Sequence, residues 1–296
     1  MLPSKVDKVN FRGKEFYVKR DDLIDSCLSG NKYRKLYILL QTPSSKYSKI
    51  ISYGGSQSNA MYAISCLCKQ KGWEFHYYTK NLPQFLKDGA EGNLDLSLKN
   101  KMIIHELKHE DYKDKVDTLL KIDESEILVI SQGAADEIAQ EGLSLLADEI
   151  TKWKDEHKID TLKVVVPSGT GTTALYLSKA VDENIKVYTS ILVGDEDYQV
   201  QQWNKLSKPP YPNIFKNKKK YKFAKPYDEF YEVHKELLES TKINFDLIYA
   251  PQTWIQMYET FKDTKEVVLY IHTGGVSGNV TMLERYKYKA QRKRSS

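Results

Sequence analysis

Leu162-Lys163-Val164-Val165-Val166-Pro167-Ser168-Gly169-Thr170-Gly171-Thr172-Thr173 is the stretch that decides the fold class. Its β-branched run predicts a strand, the glycines and hydroxyls a tight turn, and Ala174 to Ala180 a helix leaving that turn. Strand, small-residue turn and helix in that order form the unit of a parallel α/β sheet. Amides and hydroxyls from Ser168 to Thr173 can surround a phosphate at the positive end of the helix dipole. No lysine follows the glycines, so this is not a Walker loop, and the G-x-G-x-x-G spacing of a dinucleotide site is missing. A single phosphate without a metal fits best; a turn whose small residues serve packing alone is the competing reading.

The same alternation extends in both directions. Ile50 to Tyr53, Phe75 to Tyr78, Met102 to Leu107, Ile127 to Ile130, Lys186 to Leu192 and Val267 to Ile271 read as strands, and Tyr227 to Glu239 as a helix. Gly54-Gly55-Ser56-Gln57-Ser58-Asn59 is a second strand-to-helix glycine turn, and His272-Thr273-Gly274-Gly275 follows the last strand. Ligands of open α/β sheets bind beyond the carboxyl ends of the strands, so these clusters are expected to converge on one cleft. Lys205 to Pro226 reads as an irregular surface loop.

The 296 residues, 41% of them apolar, are enough for two lobes. A net charge of +5 owes much to Lys216–Lys225 and to the tail Lys287–Arg294, read as solvated segments; no nucleic-acid motif accompanies them, so a nucleic-acid partner for the tail is a minor alternative. Of three cysteines, Cys66 and Cys68 are two apart on an expected helix and point to different sides. Few cysteines, no signal-peptide core and no apolar run of membrane length lead to the expectation of a reduced, cytoplasmic chain without a membrane partner.

Four local patterns carry chemistry. Lys32, in Ser29-Gly30-Asn31-Lys32-Tyr33-Arg34-Lys35-Leu36, follows a glycine turn at the start of a helix, where its amine could be desolvated and form a Schiff base; Arg34 and Lys35 are expected to lower its pKa further. Ser58 and Asn59 offer a hydroxyl, an amide side chain and free helix amides to a carboxylate, or simply cap the helix. His105-Glu106-Leu107-Lys108-His109 matches H-E-x-x-H, but the β-prone lead-in Met102-Ile103-Ile104 places it across a strand end, which disfavours zinc. His272 and Tyr249 read alone as packing residues and gain weight only from a place in the cleft.

Taken together, Val18-Lys19-Arg20-Asp21-Asp22, the Lys32 segment, Gly54 to Asn59, Ser168 to Thr173, Ile248-Tyr249 and His272 to Gly275 resemble the pyridoxal-phosphate enzymes of the tryptophan synthase β fold, in the branch of 1-aminocyclopropane-1-carboxylate deaminase and D-cysteine desulfhydrase. The resemblance implies two open twisted parallel-sheet domains, each a three-layer αβα unit, with the cofactor cleft between them. It divides the chain into a large domain, 1–34 and 142–296, and a small one, 35–141. It implies that Lys32 carries pyridoxal 5'-phosphate and moves the substrate proton, that Asn59 faces the ring hydroxyl, and that Ser58, with Asn59 and Ala60, receives the substrate. Gly169, Thr170, Gly171, Thr172 and Thr173 would hold the phosphate, Thr273 would approach the pyridine nitrogen, and Tyr249 would stand over the substrate as acid or base. A small amino-acid substrate and a homodimer are implied as well.

Within that branch, deaminases have glutamate after the tyrosine and leucine where Thr273 stands, whereas this chain has Ala250 and Thr273 and is closer to the desulfhydrases. Cysteine β-elimination to pyruvate, ammonia and sulfide is therefore the expectation, with cyclopropane opening to 2-oxobutyrate as its alternative. Ala60, Phe223, Pro251-Gln252 and Ser131-Gln132-Gly133 also depart from the family pattern, which leaves a cofactor-binding but silent protein as a third reading.

Overall fold

A computed structural model describes residues 2–89, 91–216 and 219–294, so Asn217 and Lys218 of the lysine-rich run lie outside the described residues. Ten strands occur among the residues described: β1 (Val6–Phe11), β2 (Lys14–Lys19), β3 (Lys49–Tyr53), β4 (Glu74–Lys80), β5 (Ile103–Leu107), β6 (Ile127–Ile130), β7 (Leu162–Ser168), β8 (Ile185–Ile191), β9 (Asn213–Ile214) and β10 (Val267–Ile271). The helices are α1 (Asn31–Lys35), α2 (Tyr37–Gln41), α3 (Asn59–Lys71), α4 (Gln84–Asp88), α5 (Gly92–Lys99), α6 (Tyr112–Leu119), α7 (Ala139–Glu156), α8 (Thr172–Ala180), α9 (Glu196–Asn204), α10 (Asp228–Thr241), α11 (Ala250–Phe261) and α12 (Asn279–Arg294).

Two open sheets result. The larger has the order β1-β2-β10-β7-β8-β9 and the smaller β5-β4-β3-β6. All pairings are parallel except the β1–β2 hairpin. Strand periodicity puts helices on both faces of the larger sheet. In β7 and β10, Val165, Val268 and Tyr270 join one core with Trp254 and Leu237, while Val164, Val166, Leu269 and Ile271 join another with Leu146 and Leu177. The first core packs under α10 and α11, the second under α7 and α8, which gives three layers. The smaller sheet has a core of its own around Ile50, Ile64, Leu67 and Phe75. The strands of the smaller sheet come from residues 49–130, and those of the larger from the chain on either side.

Several features were not anticipated. The β1–β2 hairpin turns at Arg12 and Gly13, both with positive φ, which suits a two-residue hairpin connection. The irregular stretch from Lys205 contains the two-residue edge strand β9. The cysteines are not all free thiols: Cys27, in the loop before α1, forms a disulfide with Cys66 of α3, while Cys68 is buried with its thiol pKa raised by desolvation. Cys66 and Cys68 do diverge, but sequence could not show that Cys66 meets a residue 39 positions away. Among the described residues no helix is long and apolar enough to cross a membrane.

Candidate active site

A cavity of about 1740 Å³ draws its lining from both sheets, and every expected site residue lines it: Lys32, Ser58, Asn59, Ala60, Gly169 through Thr173, Tyr249 and Thr273. All but Tyr249 come from the carboxyl end of a strand or the segment and helix that follow; Tyr249 lies between α10 and α11, as the N-cap of α11.

Lys32 reaches the cavity because the chain turns at Gly30, whose φ is +64°. A Cβ there would lie 2.0 Å from the Thr273 carbonyl oxygen, so only glycine lets the two segments meet. The Asn31 amide donates to that same oxygen at 3.2 Å. Lys32 Nζ donates to Asn31 Oδ1 at 3.0 Å, and Asn31 Nδ2 donates to Thr173 Oγ1 at 3.2 Å, tying the amine to the glycine loop. Desolvation lowers the Lys32 pKa to about 8. At pH 7.5 such an amine is roughly one-quarter neutral, against roughly one in a thousand for an unperturbed lysine.

Neighbouring cations are not what lowers it. Arg34 is fully buried and turned away, paired with Asp21 at 2.9 Å and Glu149 at 2.7 Å. Lys35 turns inward: its amine donates to Gly133 O at 3.0 Å and lies 3.4 Å from Thr170 Oγ1. Burial, aided by the Lys32 charge, pushes the Lys35 pKa well down. Sequence had offered Lys35 only as a neighbour of Lys32, yet it brings a buried amine donor to the glycine loop. The loop thus combines small residues, the N-terminus of α8, the paired hydroxyls of Thr170 and Thr172 at 3.0 Å, and the Lys35 amine. This is a donor set for an anion.

Ser58 is the N-cap of α3: its Oγ accepts from the Ala60 and Met61 amides at 3.2 and 3.3 Å, and the Tyr77 hydroxyl donates to the Gly55 carbonyl of the same turn at 3.0 Å. The capping reading is therefore realised, and part of the expected carboxylate turn is already committed. Asn59 Oδ1 accepts from Asn93 Nδ2 at 2.7 Å, which leaves the Asn59 NH₂ to donate. That polarity suits an oxyanion in the cavity. Asn93 is fully buried and also accepts from Ser277 at 2.7 Å, and this contact between α5 and the loop after β10 had no local signal.

Tyr249 packs against the loop: a Cβ at Gly169 would lie 3.5 Å from its hydroxyl. Burial raises the phenol pKa, with the Asp246 charge adding to it, so the ring stays protonated near neutral pH. Asp246 holds the segment by accepting the Ile248 and Tyr249 amides at 3.0 and 2.5 Å. Phe223 lies 5.7 Å from Tyr249, centroid to centroid, at the cavity wall. Ala250 is fully buried in the larger sheet's core.

The remaining sequence candidates are structural. His272 is buried and stacked on Phe245; its Nε2 bonds Asn244 O at 3.0 Å and its Nδ1 accepts the Gly274 amide at 3.2 Å, which fixes the turn carrying Thr273. His105 belongs to β5 and stacks on Tyr78, while His109 falls in the turn beyond, so the H-E-x-x-H residues do not share a helix.

No protein-family profile matches the chain. An Arabidopsis thaliana protein named bifunctional D-cysteine desulfhydrase/1-aminocyclopropane-1-carboxylate deaminase is 25% identical over 310 residues, covering 94% of this chain and 77% of that one. A solved structure described as an ACC deaminase homologue superposes with a TM-score of 0.76 at 22% identity, covering 95% and 93% of the two chains. A pyridoxal 5'-phosphate-dependent aspartate racemase superposes with a TM-score of 0.64 at 15% identity over 92% and 90%.

Proposed function

We propose, from the premise that this chain shares the fold of pyridoxal-phosphate enzymes and is related to the deaminase and desulfhydrase proteins, that it is a pyridoxal-phosphate-dependent lyase acting on a small amino acid, most like D-cysteine desulfhydrase. The observation that carries this is the meeting, in one cavity, of the desolvated Lys32 amine with a glycine loop lined by hydroxyls, the N-terminus of α8 and the Lys35 amine. The residues fit the cofactor: an amine at about 8 for its aldehyde and an anion cup for its phosphate. Lys32 would hold it covalently, Gly169 to Thr173 with Lys35 would take the phosphate, Asn59 would donate to the ring oxygen and Thr273 would face the ring nitrogen. When bound, the cofactor supplies an electron sink for bonds at the amino acid's α-carbon.

The chain's own residues then manage position and protons. The Lys32 amine, neutral often enough near pH 7.5, would take the α-proton, and the Asn31 side-chain oxygen, which accepts from it at 3.0 Å, would hold it in place. The Tyr249 phenol, kept protonated by burial, can give a proton to the departing group. Ser58, at the start of α3, orients the substrate carboxylate from the positive end of the helix. The Thr273 hydroxyl does not enforce a protonated ring nitrogen as a carboxylate would, and this favours elimination from cysteine over opening of a cyclopropane. The division at 1–34 and 142–296 against 35–141, a homodimer and a cytoplasmic location belong to the same proposal.

Absorbance of the purified protein before and after borohydride, with peptide mapping, tests the reading, followed by product assays. Sulfide and pyruvate from D-cysteine are expected, against 2-oxobutyrate from the cyclopropane substrate. A reduced adduct on another lysine, or no uptake of the cofactor, overturns the proposal; uptake without turnover of any amino acid in a D- and L-panel makes the chain a binding protein.

A further inference from the structure

We propose that Gln199 and Trp203 of α9 are positioning residues of the glycine loop, holding two of its peptide units so that their amides face the cavity. The proposal rests on the cofactor reading above. One turn apart on the same face of α9, both side chains are fully buried. Gln199 Nε2 donates to the Thr170 carbonyl at 3.0 Å, and Trp203 Nε1 donates to the Gly171 carbonyl at 3.0 Å. In a trans peptide the C=O of one residue and the N–H of the next point in opposite directions. Drawing the Thr170 carbonyl toward α9 therefore turns the Gly171 amide the other way, toward the cavity that these residues line, and Trp203 shares the Gly171 carbonyl with the Leu175 amide of α8, at 3.0 Å, in doing the same for the Thr172 amide.

The approach admits only glycine at the point of contact. Gly171 has a φ of +75°, and a Cβ there would lie 2.0 Å from Gln199 Nε2 and 2.4 Å from Trp203 Nε1. Gln199 serves as a donor only, since its Oε1 is buried without a hydrogen-bond partner among the described residues. Trp203 is held in turn against Tyr211, 5.2 Å between ring centroids. Neither residue touches the cavity, so their effect on a phosphate passes through the loop.

The test compares Gln199→Met and Trp203→Phe, which keep size and packing and remove one donor each, with wild type by equilibrium dialysis against pyridoxal 5'-phosphate and against pyridoxal, which lacks the phosphate. Each variant is expected to weaken pyridoxal-phosphate binding about tenfold while changing pyridoxal binding less than about twofold. Equal loss for both ligands means a general structural role and overturns the proposal, as does unchanged pyridoxal-phosphate affinity. If one variant does not fold, the other carries the test. If wild type takes up no pyridoxal phosphate, the cofactor reading fails by itself, and ³¹P line broadening of inorganic phosphate decides the positioning claim: weaker broadening in the variants supports it, and equal broadening overturns it.

Discussion

Replacing Arg34 by methionine probes the packing that holds Lys32 in place. The buried guanidinium donates to both Asp21 oxygens, at 3.1 and 2.9 Å, and to Glu149 at 2.7 and 2.9 Å. Lys19 adds bonds of 2.5 Å to Glu149 and 2.7 Å to Ser4 Oγ, so two cations face two anions. Methionine keeps the apolar stem and leaves two carboxylates sharing one amine. Breaking a buried ion network this way costs about 3–5 kcal/mol. At about 2–4 °C per kcal/mol, the melting temperature falls by about 6–20 °C. Lysine at the position keeps the charge but loses the fork, and recovers only part of the loss. The pH dependence has a definite sign. Burial works to raise the Glu149 carboxyl, but hydrogen bonds and charge from Arg34 and Lys19 outweigh it and hold the pKa below the ordinary value. That contribution is present above the unfolded pKa and is lost as pH falls through the folded one. Without Arg34 burial prevails, the folded form takes up a proton sooner, and the gap between variant and wild type narrows from pH 7 toward pH 5. Thermal unfolding followed by circular dichroism at both pH values measures this. A melting temperature within about 2 °C of wild type at pH 7, or a gap that widens toward pH 5, refutes the reasoning.

Lys32→Ala should abolish the cofactor's protein-bound absorbance and lower turnover by roughly a thousandfold or more, and retention of the band would move the attachment elsewhere. Covalent capture of the cofactor should speed up about tenfold per pH unit below about 8 and level off above it; a rise that continues to pH 10 would show that Lys32 is not desolvated. Gly30→Ala pushes a methyl group into the Thr273 carbonyl and should cost more than about 2 kcal/mol in urea unfolding, together with cofactor affinity. Tyr249→Phe should lower kcat roughly a hundredfold with cofactor affinity unchanged, and an unchanged kcat would remove the phenol from proton transfer.

What was legible in the sequence was local. β7 with its glycine turn, the strand before Gly54, and the turn after β10 each announce themselves through hydrophobic run and turn residues, and all converge as expected. The β1–β2 hairpin was missed although Val9, Phe11, Phe16 and Val18 alternate around Arg12-Gly13, because lysines interrupt the run. Lys35 and Arg34 were misread because a helix turn fixes spacing but not which residue faces the cavity. Asn93, Gln199 and Trp203 act through contacts 29 to 184 residues away along the chain, and no local pattern carries that information.

β10 is the last strand in the chain order, yet it lies in the middle of the larger sheet, between β2 and β7. While a ribosome is still working toward Val267, the hairpin and the β7–β8 ladder have no partner between them, and each presents an open edge. The pairing of Leu269 with Tyr17 joins segments about 250 residues apart, a contact that must wait for nearly the whole chain. Lys32 is made early and Thr273 late, so the two halves of the pocket meet only when the sheet is complete. On the proposed function, cofactor capture would follow synthesis, and chains broken off upstream of β10 should be captured by chaperones or aggregate through those edges without ever acquiring colour.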